Sequence, residues 1–502
     1  MSENRLKSWQ GWLIFGGSMA IVFVLGLAVS ALMERRAEVA SIFNNRKDPM
    51  KGERTVAQSQ KFESDFPREY RTWHATQEGG FRSRYMTNEK EYVLQQRPAM
   101  VVLWAGYSFS WEYNSPRGHM HAVEDMRSIL RTGAPDSFDA GSNQPGTCWT
   151  CKGPDVPRLM DSLGTAAFYK ANWAKWGSEV MNPVGCSDCH DPESMDLRIS
   201  RPALVEAWKR RGIDIQAAAT QQDLRSLVCA QCHTEYYFQD FPDTPEKDEY
   251  LTFPQDYGLT AEAAEHYYDS LGFTDYVHAL SRAPILKAQH PGYELALQGI
   301  HAQRGVSCAD CHMPYISDGG VKYSDHRIMS PLAHVERTCL VCHRESEKTL
   351  MQNVYDRQEK CLEIRNRLET ELVKAHFEAR YAWDLGATQP EMDEALQDIR
   401  KGQWRWDYGV ASHGASFHAP QEVTRILACG LDYTLQARLS LAKVLARHGF
   451  TGEVPIPDIS TQDKAEAAIG VDIAKRRADK ARFLDEIVPR WIADAKSKGK
   501  VY

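Results

Sequence analysis

Apolar residues along the chain follow three different patterns. Trp12 to Met33 (WLIFGGSMAIVFVLGLAVSALM) runs for 22 positions without a charge. A helix there is apolar on every side and exceeds the roughly 7–15 residues of a signal-peptide core. It reads as a retained membrane anchor, with Val29-Ser30-Ala31 as the cleavage site if the segment is instead an export signal. Arg5 and Lys7 before it are balanced by Arg35 and Arg36 after it, so charge assigns no orientation. A second pattern begins near Ser346. From there to Asp384 the chain has no Gly or Pro, and Leu350, Val354, Cys361, Ile364, Leu368 and Leu372 recur at helical spacing. Thr388-Gln-Pro-Glu391 has the form of a capping box with proline in the first turn, and predicts a helix through Trp404. Gln421–His448 and Thr461–Lys496 predict two more. Between these ends the periodicity is broken by Pro, Gly and Asp, as in Asp240-Phe-Pro-Asp-Thr-Pro, which predicts loops and short helices. Only Tyr92 to Tyr107 suggests a short strand.

A chain of 502 residues and this composition, 43% hydrophobic and 25% charged, is ordinary globular protein. Lys plus Arg number 60 against 67 Asp plus Glu, a net charge of −7, which excludes a generally basic nucleic-acid binder. It also gives no attraction to anionic membranes. The pattern divides the chain into a tail (1–11), the membrane or signal segment (12–33), a middle part (34–345) and a long-helix part (346–502), with one catalytic domain overall. No nucleotide loop or hydrolase triad is present, and the only internal repeat lies in the cysteines.

Ten of the twelve cysteines form five Cys-x-x-Cys pairs. Four are followed by histidine: Cys186/Cys189 with His190, Cys229/Cys232 with His233, Cys308/Cys311 with His312, and Cys339/Cys342 with His343. This is the c-type haem attachment motif, in which two thiols bond the porphyrin and the imidazole reaches the iron. Zinc ribbons or redox dithiols would not need a histidine after every pair. Covalent haem attachment follows export in bacteria, so the residues after Met33 are placed in the periplasm. The first pair, Cys148/Cys151, is followed by Lys152. A lysine amine ligates iron once its proton is lost, which burial and the metal both favour. One different ligand among five haems suggests one haem with a face open to substrate. Cys361 and Cys429 are left over, within predicted helices, and read as buried free thiols.

Cys-Trp-Thr-Cys-Lys followed by four Cys-x-x-Cys-His resembles the pentahaem cytochrome c nitrite reductases that form ammonia, from about Tyr70 to the C-terminus. Leu-Arg131-Thr-Gly-Ala-Pro, His233-Thr-Glu235-Tyr236-Tyr237-Phe, Leu-Lys287-Ala-Gln289-His290-Pro and His418-Ala-Pro carry the same resemblance. It implies a mainly α multihaem cytochrome c fold with little strand, its N-terminal part packed around haems and its long C-terminal helices forming a homodimer contact. It implies five c-type haems, four of them with a second histidine: His119 for the haem of Cys229/Cys232, His326 for Cys186/Cys189, His418 for Cys308/Cys311, and His301 for Cys339/Cys342. His121 and His413 are the nearest decoys, and His74, His266, His278, His334, His376 and His448 read as ordinary surface or packed residues. Arg131, Tyr236 and His290 match the family's distal trio, for nitrite binding, hydrogen bonding and proton delivery, with His290 expected to titrate near neutrality. The resemblance also implies a calcium ion held by the Glu235 carboxylate, the Gln289 amide oxygen and the carbonyls of Tyr236 and Lys287, a hard-oxygen set. The implied donor is a membrane-bound quinol-oxidising multihaem cytochrome. A pure electron carrier is the competing reading, opposed by Lys152; hydroxylamine and sulfite are further substrates expected of the same open iron.

Overall fold

The structure is a computed structural model that describes residues 8–44, 54–135, 144–240 and 249–501. The expected loop after Asp240 lies largely outside the described residues. By internal contacts the chain forms two units, residues 1–53 and 54–502. In the first, α1 (Ser8–Asn44) contains a stretch, Ser8–Met33, with a mean hydropathy of 2.3, long and apolar enough to cross a membrane.

The second unit is mainly α, with three two-stranded ribbons as its described sheets. Its middle part is made of short helices, among them α2 (Pro202–Arg210), α3 (Gln221–Ala230) and α4 (Ala261–Ser270). β1 (Tyr237–Asp240) pairs antiparallel with β2 (Glu249–Thr252), β3 (Tyr276–Val277) with β4 (Pro284–Ile285), and β5 (Tyr315–Asp318) with β6 (Val321–Ser324). The last hairpin turns on Gly319 and Gly320, both at positive φ (58° and 82°), as a two-residue turn matched to strand twist requires. The expected strand at 92–107 is absent: Val93–Gln96 and Ala99–Leu103 are helical turns around Pro98. Met100 to Ala105 is buried on all sides, and a short apolar run of that kind does not distinguish strand from helix.

The C-terminal part is a bundle of α5 (Glu347–Asp384), α6 (Gln389–Ala411) and α7 (Pro420–Arg447), with α7 packed along both others. Ser346 caps α5, and Thr388 and Glu391 form the capping box of α6. Of the α5 stripe, Leu350, Val354, Cys361, Leu368 and Leu372 are buried and Ile364 is half-buried. α6 runs past Trp404 because Trp404, Trp406 and Tyr408 remain in the core. The single helix expected over Thr461–Lys496 is broken into α8 (Gln462–Ile469), α9 (Ala474–Arg482), a π-helical turn (Phe483–Ile487) and α10 (Val488–Ser497). Gly470 ends α8 in the left-handed conformation (φ 72°), a stop that the periodicity of the neighbouring residues hides. Cys361 and Cys429 are free, Cys361 buried and Cys429 half-buried beside Arg425.

Candidate active site

The four expected histidine pairs face one another. Ring centres are 6.2 Å apart for His119 and His233, 6.2 Å for His190 and His326, 6.3 Å for His301 and His343, and 6.1 Å for His312 and His418. A ring nitrogen bound to a metal at about 2 Å puts the ring centre about 3 Å from it, so two rings on opposite faces of one ion stand about 6 Å apart. Each pair could therefore hold one iron between its rings. Three of these rings are also oriented from behind: Nδ1 of His190 meets the Met195 carbonyl at 2.8 Å, that of His312 the Met329 carbonyl at 2.9 Å, and that of His326 the Ser324 carbonyl at 2.8 Å. A carbonyl acceptor makes Nδ1 the protonated nitrogen and leaves the Nε2 lone pair for a metal. The decoy His121 is engaged at both nitrogens, with Glu124 and the Gln77 carbonyl. His413 lies 6.4 Å from the His290 ring.

Three cysteine pairs sit on short helical turns, Cys229/Cys232 lies at the end of α3, and Cys339/Cys342 follows the turn Val335–Thr338. Gly185 and Ser307 begin two of these, and Asp188 and Asp310, inside the Cys-x-x-Cys motifs, accept the Gly185 and Ser307 backbone N–H. Thiols of different motifs lie close enough to act on one another electrostatically, Cys151 with Cys232 and Cys229 with Cys308. Prosthetic groups attached there would follow one another from Cys308/Cys311 through Cys229/Cys232 to Cys148/Cys151.

Cys342 differs from the other attachment cysteines. It is exposed, whereas the other nine attachment cysteines are half-buried. The physical reason is its place in the chain: the turn that carries it leads outward into α5, and every residue from Val341 to Thr349 is exposed until Leu350 re-enters the core. Cys342 keeps its attachment motif and its neighbour His343 still opposes His301, but the surroundings are solvent on one side.

Around Cys148/Cys151 the molecule is built differently. Trp149 is fully buried, stacks on Trp173 at 5.1 Å and donates to its carbonyl at 2.9 Å, which anchors the turn. Arg131, on the 3₁₀ turn Leu130–Thr132, stacks over Phe109 at 3.8 Å, and its buried Nε has no partner. Burial pulls its pKa down, against the raising influence of Tyr113, Tyr107, Tyr236 and Cys148; an arginine so placed still carries its charge. Tyr236 enters β1 beside Cys151, Cys148 and Arg131, and burial pushes its phenol well above the usual range, so it holds its proton. His290 packs edge-on to His233 at 4.6 Å, with its Nδ1 buried and unpartnered. Burial first, then His413, lowers its pKa to about 4. The expected titration near neutrality is thus displaced: at neutral pH the ring is neutral, one nitrogen donating and the other accepting. The three residues and Lys152 converge on the pair that lacks a histidine.

Three of the four residues expected to hold calcium, Glu235, Gln289 and Lys287, lie together. Glu235 is fully buried; its carboxylate accepts from Tyr268 at 3.1 Å and from the backbone N–H of Gln289 at 2.7 Å and His290 at 3.3 Å. The Gln289 amide lies 3.2 Å from the Lys287 carbonyl. Burial pushes Glu235 well above the carboxylate range, Glu294 and Asp275 to about 7 and Asp407 to about 6. Lys287, paired with Asp407 at 2.9 Å, is the cation that Glu235, Asp275 and Asp407 share. So many buried acids around one base leave room for further positive charge.

Comparisons with known proteins bear on the whole of this arrangement. The family model described as cytochrome c552 matches residues 58–499. A cytochrome c-552 of Bacteroides thetaiotaomicron is 61% identical over 499 residues, covering 99% of each chain. One of Desulfotalea psychrophila is 42% identical over 494 residues, 97% of this chain and 95% of its own. Among solved structures, the catalytic subunit of cytochrome c nitrite reductase from Desulfovibrio desulfuricans, described for the relevance of its two calcium sites, superposes with a TM-score of 0.72 at 30% identity. The match covers 84% of this chain and 90% of that one. Haem-attachment motifs, opposed histidines, fold and relatives agree, and the chain belongs to the cytochrome c552 family.

Proposed function

We propose that this protein is a periplasmic respiratory nitrite reductase, taking nitrite to ammonium at a haem attached to Cys148 and Cys151 and ligated by Lys152. One observation carries the reading. The pair without a histidine is the pair on which Arg131, Tyr236 and His290 converge, while the other four each present two opposed imidazoles. A pure electron carrier has no use for that difference.

Five c-type haems fit the residues. His190 with His326, His233 with His119, His312 with His418 and His343 with His301 would ligate four, and the proximity of Cys151 to Cys232 and of Cys229 to Cys308 supports an order of three of the five attachment sites toward Cys148/Cys151. Each nitrite takes up six electrons and eight protons, and leaves as ammonium and two waters. The haem supplies a Lewis-acid site and the electrons. The chain's own residues do the rest. Arg131 offers a fixed cation and a planar donor fork to the nitrite oxygens. His290 donates a hydrogen bond from a neutral ring and relays protons. Tyr236 holds a phenolic proton beside Arg131 and donates it as a hydrogen bond to the same anion.

A calcium ion at Glu235, Gln289, Tyr236 and Lys287 fits as well. Two oxygens sharing a calcium at about 2.3–2.6 Å from each stand about 3 Å apart. The 3.2 Å between the Gln289 amide and the Lys287 carbonyl has that spacing once the amide is flipped, an assignment that rests on its partners alone. The ion would supply the positive charge that the buried acids lack, and tie the Tyr236 strand to the Gln289–His290 turn. α1 serves as export signal or inner-membrane anchor. Electrons come from a membrane-bound quinol-oxidising multihaem cytochrome, and the long C-terminal helices form a homodimer contact. Purified protein given reduced viologen and nitrite should form ammonium in proportion to nitrite consumed. Preparations with all five haems that form none would overturn the reading.

A further inference from the structure

Between the second and third haem motifs lies a buried cation that touches none of the proposed iron ligands or catalytic residues. Arg201 immediately precedes α2 and is 1% exposed. Its Nε donates to the Thr150 carbonyl at 2.8 Å, and its Nη2 donates to the Gly153 carbonyl at 3.0 Å and to Asp188 at 2.6 Å. Nη1 donates to the Ser200 hydroxyl at 2.7 Å, so four of the five guanidinium donors are used. Thr150 and Gly153 flank Cys151-Lys152. Asp188 belongs to the Cys186/Cys189 motif. Gln231, inside the Cys229/Cys232 motif, accepts from the Arg201 N–H at 3.0 Å and donates to the Asp188 carbonyl at 2.9 Å. One buried cluster therefore joins three attachment motifs.

Lysine is a long ligand with many rotamers, so its amine can be held in one place only if its backbone is. The loop is held from the other side too. Position 153 has no room for a side chain: a Cβ there would stand 2.0 Å from the Asn182 carbonyl. Asn182 is in turn fixed by Asp155, which accepts from its backbone and side-chain nitrogens, each at 2.9 Å. Resting on the reading of Lys152 as an iron ligand, we propose that Arg201 is a positioning residue for that ligand. Its guanidinium grips the carbonyls on both sides of Cys151-Lys152 and sets the approach of the amine to the haem of Cys148/Cys151. The planar fork is essential, because an ammonium cannot span two carbonyls and a carboxylate in one plane.

The test uses full-length holoprotein with Arg201→Lys, Gly153→Ala and Lys152→His, each checked for five covalent haems by intact mass. Arg201→Lys is expected to keep five haems and the low-spin spectrum but to shift the high-spin signal of the lysine-ligated haem. Nitrite kcat should fall about 10- to 100-fold, as displacements near 1 Å do. KM should change little, because Arg201 does not touch Arg131 or His290. A parental high-spin signal and kcat in Arg201→Lys would overturn the proposal. If Arg201→Lys does not accumulate with five haems, Gly153→Ala, which pushes the same loop from the opposite side, must show the shift; a parental signal, or failure of this variant too, places Arg201 in folding alone and overturns it. Lys152→His separates the two levels. If it leaves the high-spin signal unchanged, the ligand reading fails; if it shifts the signal while Arg201→Lys does not, only the positioning role fails.

Discussion

Burial leaves the Arg131 Nε and the His290 Nδ1 without protein partners, and in the proposed function these two residues bind and protonate nitrite. Truncating either, as Arg131→Met or His290→Asn, should lower nitrite kcat/KM at least 10- to 100-fold, since a charge-assisted contact is typically worth about 1.5–3 kcal/mol. The low-spin spectrum should persist, because neither residue belongs to an opposed imidazole pair; steady-state kinetics at matched haem content decide it. Glu235→Ala should release calcium, measured by metal analysis, and lower turnover while the haem count holds. The carboxylate is the one ionic ligand of the proposed set and also ties down the Gln289 and His290 backbone. At this scale the sequence showed residue type and spacing but not occupancy. His119 and His121 stand two apart in Gly-His-Met-His, and only the fold shows that one ring faces His233 while the other is spent on Glu124 and Gln77. Exposure was equally hidden: Cys342 belongs to the same motif type as Cys189, Cys232 and Cys311, yet it alone of these is exposed.

The elements that carry strong local signals were legible in the sequence. α5 begins at Ser346, where the unbroken helical pattern starts, α6 begins at the capping box read from Thr388-Gln-Pro-Glu391, and α5 buries the stripe its spacing marked. Leu372 is fully buried in that stripe. Leu372→Ala should cost about 2–5 kcal/mol, seen in the thermal unfolding of the holoprotein, with the haem spectrum intact at room temperature. Elements decided by their surroundings were not legible. The run at Met100–Ala105 forms helical turns, a choice that its enclosure on every side left unmarked in the pattern. The segment after Thr461 broke at Gly470, where a left-handed residue ends the helix, and the π-helical turn at Phe483–Ile487 has no signature in the periodicity.

For the whole molecule, the core holds further titratable groups that the proposed chemistry does not use. His278 and His376 stack at 3.6 Å between ring centres and are fully buried. His278 Nδ1 accepts from the Leu280 and Ser281 N–H, so its Nε2 donates to the Val102 carbonyl at 2.8 Å. His376 meets Gln403 at 2.6 Å and Ser281 at 2.9 Å. Burial lowers His376 from 6.5 to about 4 and His278 well below its usual value. Both folded values lie below the unfolded one, so above about pH 6.5 neither state binds the proton and nothing is lost. As pH falls from there toward 4, the unfolded chain takes up protons the folded one refuses, and stability declines. For His376 the full effect is on the order of 3 kcal/mol. Holoprotein Tm should fall between pH 7 and 4.5, and His376→Gln should reduce that slope; an equal slope in both would refute the assignment.

Covalent haem attachment needs a particular short string of residues, and a string is what a sequence displays. That is why the five cysteine pairs, the lysine in place of histidine and the apolar run at 12–33 could be read directly. Partner histidines, by contrast, come from positions up to 136 residues away, as His190 and His326 do, and distance along the chain says nothing of distance in space. The tertiary structure alone decided that the rings oppose one another about 6 Å apart, and that burial holds His290 neutral. It alone showed that Arg201, an ordinary residue before a proline in the sequence, grips the loop that carries Lys152. Burial and the direction of a hydrogen bond are properties of the packed chain, since they depend on neighbours that only folding brings together.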